Sequence, residues 1–286
     1  MNQKNAFVII HFGNNIKYLE LELYFIINLK KFTKYEILYM YSINDTPIEY
    51  IKIIEKFNIL CIKYDDTNIT YNITNFSSQY TRFNTLRTCN FMFAYNLIKY
   101  NKICIIECDM IITKNIDNIF DLNFPSILYY NKDITKHNEN YLLAVKTKKS
   151  ILDLCTSKSE YNGGVLLIEP SIKMFNLYKK NIKMIINNNC IFPNETLFMY
   201  TNNKKIYNLP IIYNKSKYFL KDYSKYNSIF INYIYHFNCE YKHLDVIKDN
   251  YLDKMDNGFQ KNIILYFKKN IYTINCKKIN KLLNSI

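Results

Sequence analysis

Glycine is scarce in this chain, which has only four among its 286 residues: Gly13, Gly163, Gly164 and Gly258. A composition this poor in glycine is expected to keep it where a side chain cannot be tolerated. Gly13 follows the first apolar run of the sequence, and the Gly163–Gly164 pair precedes another. We therefore expect the backbone to approach a ligand closely at these positions, with a positive φ at Gly163 or Gly164 as the alternative reason.

Long apolar runs and paired-cysteine motifs are also missing. No run approaches the roughly 18 apolar residues that a membrane span needs. Residues 1–10 hold too short an apolar core for a signal peptide, so they predict a first strand. The eight cysteines are scattered and form no C-x-x-C pair. This pattern predicts free thiols in a reducing, cytoplasmic compartment, without a disulfide framework or a zinc site.

Arginine is the third scarcity, because only Arg82 and Arg87 accompany many lysines in a chain of net charge +14. A basic chain invites a nucleic-acid function, but the lysines are spread along the whole sequence. No arginine cluster, RNA-recognition signature or zinc finger is present. Asn, Ile, Lys, Tyr and Phe are abundant together, as an AT-rich coding sequence would produce. We therefore expect no nucleic-acid partner, although a basic surface attracts anionic substrates.

The patterns that are present predict one large α/β domain. Apolar, β-branched runs at 6–11, 36–41 and 59–63 predict strands. Helical periodicity at 47–57 and 83–98 predicts helices between and after them. The turn after the first strand lacks the G-x-G-x-x-G spacing of a dinucleotide site. We expect a twisted, mostly parallel, Rossmann-like sheet with helices on both faces.

The most informative stretch is an apolar run that ends in two acids. Ile103 to Ile106 predicts a buried strand, and Glu107-Cys108-Asp109 follows it directly. Carboxylates two residues apart share one face of an extended chain, and open α/β sheets bind ligands where their strands end. Such oxygen ligands suit Mg²⁺ or Mn²⁺ holding a phosphate. Spacing alone leaves open a second interpretation, two solvated acids at a strand end.

Four segments, in order, resemble glycosyltransferase family 8, the glycogenin-like enzymes. The first is the acidic strand with the following short strand and Asn-Ile-Asp, although the first acid of the family is Asp where this chain has Glu107. The second, 161–171, resembles Phe-Asn-Ser-Gly-Val with a later Pro-Ser. The third has Asn194-Glu195 where the family has Asp-Gln. The fourth, 236–242, resembles His-Phe-x-Gly-x-x-Lys, with Cys239 in the Gly position.

The resemblance implies a role for each matched residue. Glu107, Asp109 and His236 would hold Mn²⁺ or Mg²⁺, and the carboxylate and amide of 194–195 would line the sugar and acceptor pocket. The Asn-Gly-Gly segment predicts a turn that feeds the next apolar strand. Taken alone, that turn could be an ordinary hairpin turn, and His236 could be structural. The catalytic residues implied are Asn162, Asn194, Glu195 and Lys242; the nucleotide-sugar-binding residues are Asn14, Tyr18, Arg87 (or Arg82), Glu107, Cys108, Asp109, Gly163, Gly164, Asn238, Cys239 and Lys242.

For the whole chain, the resemblance implies a GT-A domain at 1–245 and a basic helical extension at 246–286 packed on it. The implied reaction is metal-dependent transfer of a hexose, with retention, from a UDP-sugar to a hydroxyl of a glycan or protein. The donor sugar and the acceptor are not determined, and a homodimer is left open. Because Glu107, Asn194, Glu195 and Cys239 depart from the family pattern, a catalytically impaired nucleotide-sugar-binding homologue is the alternative.

Overall fold

The structure is a computed structural model of the chain. It describes residues 4–67, 86–130, 136, 138–143, 160–187, 190, 192–202, 205–216, 234–236, 247–248 and 259–286. Five residues singled out by the sequence lie outside this described part: Arg82, Asn238, Cys239, Lys242 and Gly258.

The first half of the chain builds the parallel part of one large sheet. The strands are β1 (Asn5–His11), β2 (Glu36–Ser42), β3 (Leu60–Tyr64) and β4 (Lys102–Ile106). They run parallel to one another in the order β3-β2-β1-β4. β1 and β4 are central and almost wholly buried, which is why their sequences are continuous β-branched and apolar runs. The predicted strands are confirmed.

The second half extends the sheet past β4 with strands of mixed direction. These are β8 (Tyr161–Ile168), β6 (Ser126–Tyr129), β9 (Ile206–Asn208) and β7 (Leu142–Leu143), in that order. β8 is antiparallel to β4 and β6, β9 is parallel to β6, and β7 is antiparallel to β9. Six of the eight strands therefore share one direction, which confirms a mostly parallel sheet.

Helices cover both faces of this sheet, as predicted. Phe7 and Ile9 of β1 face a core shared with two helices and the C-terminal segment. Ala6 and Val8 point the other way, into a core shared with a 3-10 helix and two further helices. The helices on the face of Phe7 and Ile9 are α1 (Ile16–Lys30), α2 (Ile48–Glu55), α5 (Phe259–Phe267) and α6 (Thr273–Leu283). Those on the face of Ala6 and Val8 are the 3-10 helix Leu86–Asn96, α3 (Ile172–Asn187) and α4 (Pro193–Thr201).

Two local predictions are wrong. The spacing at 83–98 predicts an α-helix, but its described part is a 3-10 helix at Leu86–Asn96. Residues 89–95 are all buried. The segment therefore packs against the protein on several sides and does not have the single apolar face of an amphipathic α-helix. Cys190 is disulfide-bonded, whereas the other five described cysteines are free. Spacing along a sequence cannot show that distant cysteines meet.

The C-terminal helices pack against α1. A π-helical turn, Lys268–Tyr272, joins α5 to α6. The ring of Tyr24 in α1 lies 6.2 Å from Phe267 and 5.2 Å from Tyr272, centroid to centroid. The predicted domain boundary at residue 245 stays a prediction. No helix in the described part of the chain has both the length and the apolar character needed to cross a membrane.

A small second sheet lies beside the end of β4. It has the order β10-β11-β5, where β5 is Met110–Ile112, β10 is Lys215–Ser216 and β11 is Ile234–His236. β11 runs antiparallel to β5 and places His236 opposite Met110. Two further 3-10 helices in the described part of the chain are Asp117–Asp121 and Ile211–Tyr213.

Candidate functional site

Two neighbouring parallel strands end at one edge of the sheet and bring two polar segments there. β1 pairs with β4 with Val8 opposite Ile105, so His11 and the residues after Ile106 emerge at the same level. The turn at 12–15 follows β1, and the Glu107–Asp109 segment follows β4. The carboxyl edge of parallel strands is where open α/β sheets bind ligands.

Glu107, Asp109 and His236 form one cluster at this edge. His236 Nε2 lies 3.2 Å from Glu107 Oε2 and 3.3 Å from Asp109 Oδ1. One ligand atom from each residue lies within 4.8 Å of the others. The β5–β11 pairing brings His236 here, since its opposite residue Met110 directly follows Asp109. Asp109 and His236 are buried, whereas the side chain of Glu107 is 46% exposed and so faces the mouth of the site.

This donor set fits a divalent cation. Ligands about 2.1 Å from an octahedral ion, at right angles to each other, are about 3 Å apart. The two separations from His236 Nε2, 3.2 and 3.3 Å, are close to that spacing. Two carboxylate oxygens with one imidazole nitrogen suit Mn²⁺ or Mg²⁺. The longer side chain of Glu107 therefore still reaches the cluster, despite its departure from the Asp of the family.

The charge state of His236 depends on its two acidic neighbours. Burial lowers the pKa of His236, but Asp109 and Glu107 outweigh this effect and raise the pKa to about 9. In the metal-free protein the imidazolium is therefore the favoured form below that pH.

We expect the apparent affinity for Mn²⁺ to rise with pH up to about 9, because a metal must displace the proton of His236, whose pKa is raised to about 9. One displaced proton corresponds to about a tenfold gain in affinity per pH unit. Titration of Mn²⁺ by electron paramagnetic resonance between pH 6.5 and 9 measures this slope. A flat profile over that interval would contradict the ligand role of His236.

The Asn162-Gly163-Gly164 segment lies inside β8, so the predicted turn before the strand is wrong. A shift in the β6–β8 register accommodates the segment as an irregularity within the strand. Neither glycine has a positive φ; among described glycines only Gly13 does. A Cβ on Gly164 would lie 2.8 Å from His236 Nδ1, and one on Gly163 would lie 2.9 Å from Asn194 Nδ2. Close approach of these side chains requires the glycines here.

The Asn194–Glu195 pair at the start of α4 borders the same glycines. The N–H of Gly163 donates to Glu195 Oε1 at 3.2 Å. Burial raises the pKa of Glu195 to about 7, and the charge of Glu107 acts in the same direction. Glu195 Oε2 is buried and has no hydrogen-bond partner among the described residues. The structure thus brings 194–195, 162–164 and the acidic cluster together; their roles stay predictions.

Hydrogen bonds to its backbone hold the turn after β1 in place. Gly13, whose φ is +90°, donates its N–H to Asp45 Oδ1 at 3.0 Å. Asp45 is also ion-paired with Arg87, whose guanidinium lies 4.9 Å from the ring of Phe12. The carbonyl of Asn14 accepts a hydrogen bond from the hydroxyl of Tyr50 at 2.7 Å. The turn therefore has a fixed shape.

The predicted nucleotide contacts sit around this turn. The side chains of Asn14 and Tyr18 are exposed, and Tyr18 lies on the first turn of α1. Asn15, not Asn14, caps α1 by accepting the N–H of Lys17 at 3.0 Å. Cys108 is half-buried and lies between Glu107 and Asp109 in the sequence. Contact of Asn14, Tyr18, Cys108 or Arg87 with a nucleotide sugar stays a prediction.

A buried ion pair beneath this turn was not predicted from the sequence. His11 Nδ1 lies 2.9 Å from Glu22 Oε1, and His11 Nε2 lies 3.0 Å from the carbonyl oxygen of Gly13. The hydroxyl of Tyr39 donates to Glu22 Oε2 at 2.6 Å. Burial lowers the pKa of His11, but Glu22 and the Gly13 carbonyl outweigh it, so the net pKa is raised. The sequence held one indication of this ion pair, because Glu22 is an acid among apolar residues of α1.

Replacing Glu22 with Ala should lower the free energy of unfolding by about 3 kcal/mol or more, because it leaves the buried imidazolium of His11 unpaired. Since the pKa of His11 is raised, the pair contributes fully below pH 6.5 and is lost as pH rises through the folded pKa. Urea unfolding at pH 6 and pH 9 should therefore show the larger difference at pH 6. Lys4→Gln, at an exposed pair, is the control and should cost under about 1 kcal/mol. An equal loss for both variants would contradict this account.

Comparisons with known proteins agree with this architecture. No protein-family model matches the chain. An uncharacterized protein of Acanthamoeba polyphaga mimivirus, R707, is 28% identical over 181 residues, which are 62% of this chain and 59% of that protein. Among solved structures, the bifunctional glycosyltransferase WbbM is 12% identical with a TM-score of 0.56, covering 93% of this chain and 52% of WbbM.

Two further solved structures are similar to this chain. The glycosyltransferase GlyE of Streptococcus pneumoniae TIGR4, in its apo form, is 15% identical with a TM-score of 0.55, covering 99% of this chain and 63% of GlyE. An active-site mutant of LgtC is 11% identical with a TM-score of 0.57, covering 93% of this chain and 96% of LgtC. The chain thus spans less than two thirds of R707, WbbM and GlyE. With this sheet and its helices, the chain has the GT-A glycosyltransferase fold.

Proposed function

We propose that this protein is a metal-dependent glycosyltransferase that moves a hexose, with retention, from a UDP-sugar to a hydroxyl of a glycan or protein. The observation that carries the proposal is the Glu107–Asp109–His236 cluster at the carboxyl edge of a GT-A sheet. Soluble cytoplasmic location and the absence of a nucleic-acid partner remain sequence-based expectations.

In this reaction each of the predicted site residues would have a task. Glu107, Asp109 and His236 would hold Mn²⁺, which supplies charge stabilisation for the diphosphate of the departing UDP. Lys242 would add a second positive charge there, as the family resemblance implies. As the family resemblance implies, the sugar would lie near the glycines of β8, and the polar side chains that would orient it are Asn162, Asn194 and Glu195.

The transfer exchanges one bond at the anomeric carbon for another. The bond from that carbon to the β-phosphate oxygen breaks, and its electron pair stays with UDP. The acceptor hydroxyl oxygen bonds to the same face of the carbon, and the departing phosphate takes its proton. No protein nucleophile is assigned, because front-face transfer assisted by the leaving group needs none.

Calorimetry with UDP and a panel of nucleotide sugars, with Mn²⁺ or with EDTA, tests the proposal. We expect UDP to bind with Mn²⁺ and to bind much more weakly with EDTA. At least one UDP-sugar should also be hydrolysed slowly or transferred to an acceptor. Equal binding of UDP with and without chelator would refute the proposed metal dependence. Preference for a nucleotide other than UDP would refute the assignment of a UDP-sugar as the donor.

A second candidate is a nucleotide-sugar-binding protein without turnover. It is favoured by one observation: Arg87, expected to face the donor sugar, is ion-paired with Asp45 and also lies 3.8 Å from Asp66 Oδ2. The changed pair Asn194–Glu195 points the same way. Metal-dependent UDP binding with no hydrolysis or transfer across the whole donor panel would favour this candidate.

A further inference from the structure

We propose that Asn214 is a positioning residue of the metal site, which fixes the tautomer and orientation of His236 through a hydrogen-bond chain that starts at the backbone N–H of Gly164. The proposal rests on the metal site of the preceding section and adds a residue to it.

The chain of hydrogen bonds has only one consistent direction. The N–H of Gly164 lies 3.0 Å from an Asn162 side-chain atom, and because an N–H only donates, that atom is Oδ1. The same oxygen accepts from Asn214 Nδ2 at 2.8 Å. The second Asn214 atom is therefore Oδ1, and it lies 3.0 Å from His236 Nδ1. A carboxamide oxygen only accepts, so His236 Nδ1 must carry a proton.

A proton on Nδ1 decides what the other ring nitrogen can do. A metal ion binds the neutral imidazole, in which only one nitrogen is protonated, so Nε2 has a free lone pair once its proton has been displaced. Nε2 is the atom directed at Glu107 and Asp109, at 3.2 and 3.3 Å. The lone pair thus points to the place where a cation would be bound. Partners that hold the second nitrogen of a metal-ligating His in this way raise metal affinity.

Burial makes the chain difficult to replace. Asn214 is fully buried, and Asn162 and His236 are 7% and 4% exposed. Asn214 precedes β10, which pairs with β11 so that Lys215 lies opposite Tyr235. Asn214 Nδ2 also lies 3.4 Å from the Asn162 carbonyl oxygen. Two sheets are therefore joined at this one amide, which fixes its orientation from both sides.

The experiment compares Mn²⁺ affinity, without nucleotide, in three folded variants. Asn214→Leu keeps a similar volume but removes the acceptor for His236, and should weaken Mn²⁺ binding by about 10- to 100-fold. Asn214→Asp keeps that acceptor and should bind Mn²⁺ more tightly than Asn214→Leu. Asn208→Leu is the matched control, because Asn208 is buried and bonds to Tyr129 N and Glu139 O instead. It should leave Mn²⁺ affinity unchanged.

A second readout follows the ring directly and needs no variant of Asn214. Nitrogen-15 NMR of the metal-free wild type, with the ring neutral, should show the Nδ1–H tautomer for His236. The chain has only four histidines, so comparison with His236→Gln assigns the signal. A wild-type ring in the Nε2–H tautomer would overturn the proposal, as would Asn214→Leu with wild-type Mn²⁺ affinity.

Failure of the proposed metal site would look different. In that case wild type and Asp109→Asn would bind Mn²⁺ equally. If Asp109→Asn loses Mn²⁺ while Asn214→Leu keeps it, only the positioning role is refuted.

Discussion

Asp109→Asn and His236→Ala should each remove most of the Mn²⁺-dependent affinity for UDP. Both residues are buried candidate ligands, and His236 Nε2 lies 3.3 Å from Asp109 Oδ1. Replacing either residue would therefore leave the ion with one protein ligand fewer. We expect the dissociation constant for UDP in Mn²⁺ to rise at least about a hundredfold, which corresponds to about 2.8 kcal/mol. Calorimetry of UDP at saturating Mn²⁺ measures this change.

Asp121→Asn is the control for the loss of one negative charge. Asp121 is exposed and ends the 3-10 helix Asp117–Asp121, so its variant should bind UDP like the wild type. If all three variants bind UDP equally well, the affinity does not come from this cluster. If UDP affinity falls in the two ligand variants even with EDTA present, their effect would be a loss of structure and not of metal.

Gly164→Ala should disrupt the metal site although Gly164 binds no metal. A Cβ there would lie 2.7 Å from Met110 Cε and 2.8 Å from His236 Nδ1, and it would also clash with Cε1 of the same ring. His236 is buried between β8 and β5 and cannot move aside without losing its hydrogen bond to Asn214 at 3.0 Å. We expect a loss of Mn²⁺ affinity of at least about tenfold, and a fall in stability of roughly 1–3 kcal/mol.

Two other glycines separate crowding from backbone strain. Gly163→Ala meets the flexible end of Asn194 at 2.9 Å, so Mn²⁺ affinity should stay near wild type while UDP-sugar binding weakens. Gly13→Ala has open space but a φ of +90°, so it should lose about 1 kcal/mol of stability and keep Mn²⁺ binding. Thermal unfolding and Mn²⁺ titration of the three variants distinguish the causes. Wild-type Mn²⁺ affinity in Gly164→Ala would contradict the packing of His236 on this glycine.

The pattern of residues alone was enough to predict the local elements and the strand that the acidic pair follows. Continuous β-branched runs predict β1 and β4, because a strand buried on both faces has no polar side to show. The acidic pair follows β4 directly, and in a parallel sheet the direction of the chain puts it at the carboxyl edge of the strands, where open α/β sheets bind ligands. His236 was added by the resemblance to glycosyltransferase family 8, whose motifs follow one another in the order found here. These signals are local or depend only on order along the chain.

The tertiary structure decided which distant side chains meet. His236 reaches Asp109 only through the pairing of β11 with β5, and a strand register over such a separation cannot be derived from local periodicity. The buried ion pair of His11 with Glu22 likewise depends on how α1 packs on the sheet.

The glycines and Asn214 show the same difference between what the sequence indicates and what the packed structure adds, here at the level of single atoms. Scarcity indicated that Gly163 and Gly164 matter, but we expected a turn whose backbone approaches a ligand, whereas the structure places both glycines in β8 against Asn194 and His236. Asn214 carried no signal of its own, since a buried amide becomes informative only when its partners are known. Hydrogen-bond direction and steric contact are properties of the packed chain, so they could not be predicted from residue spacing.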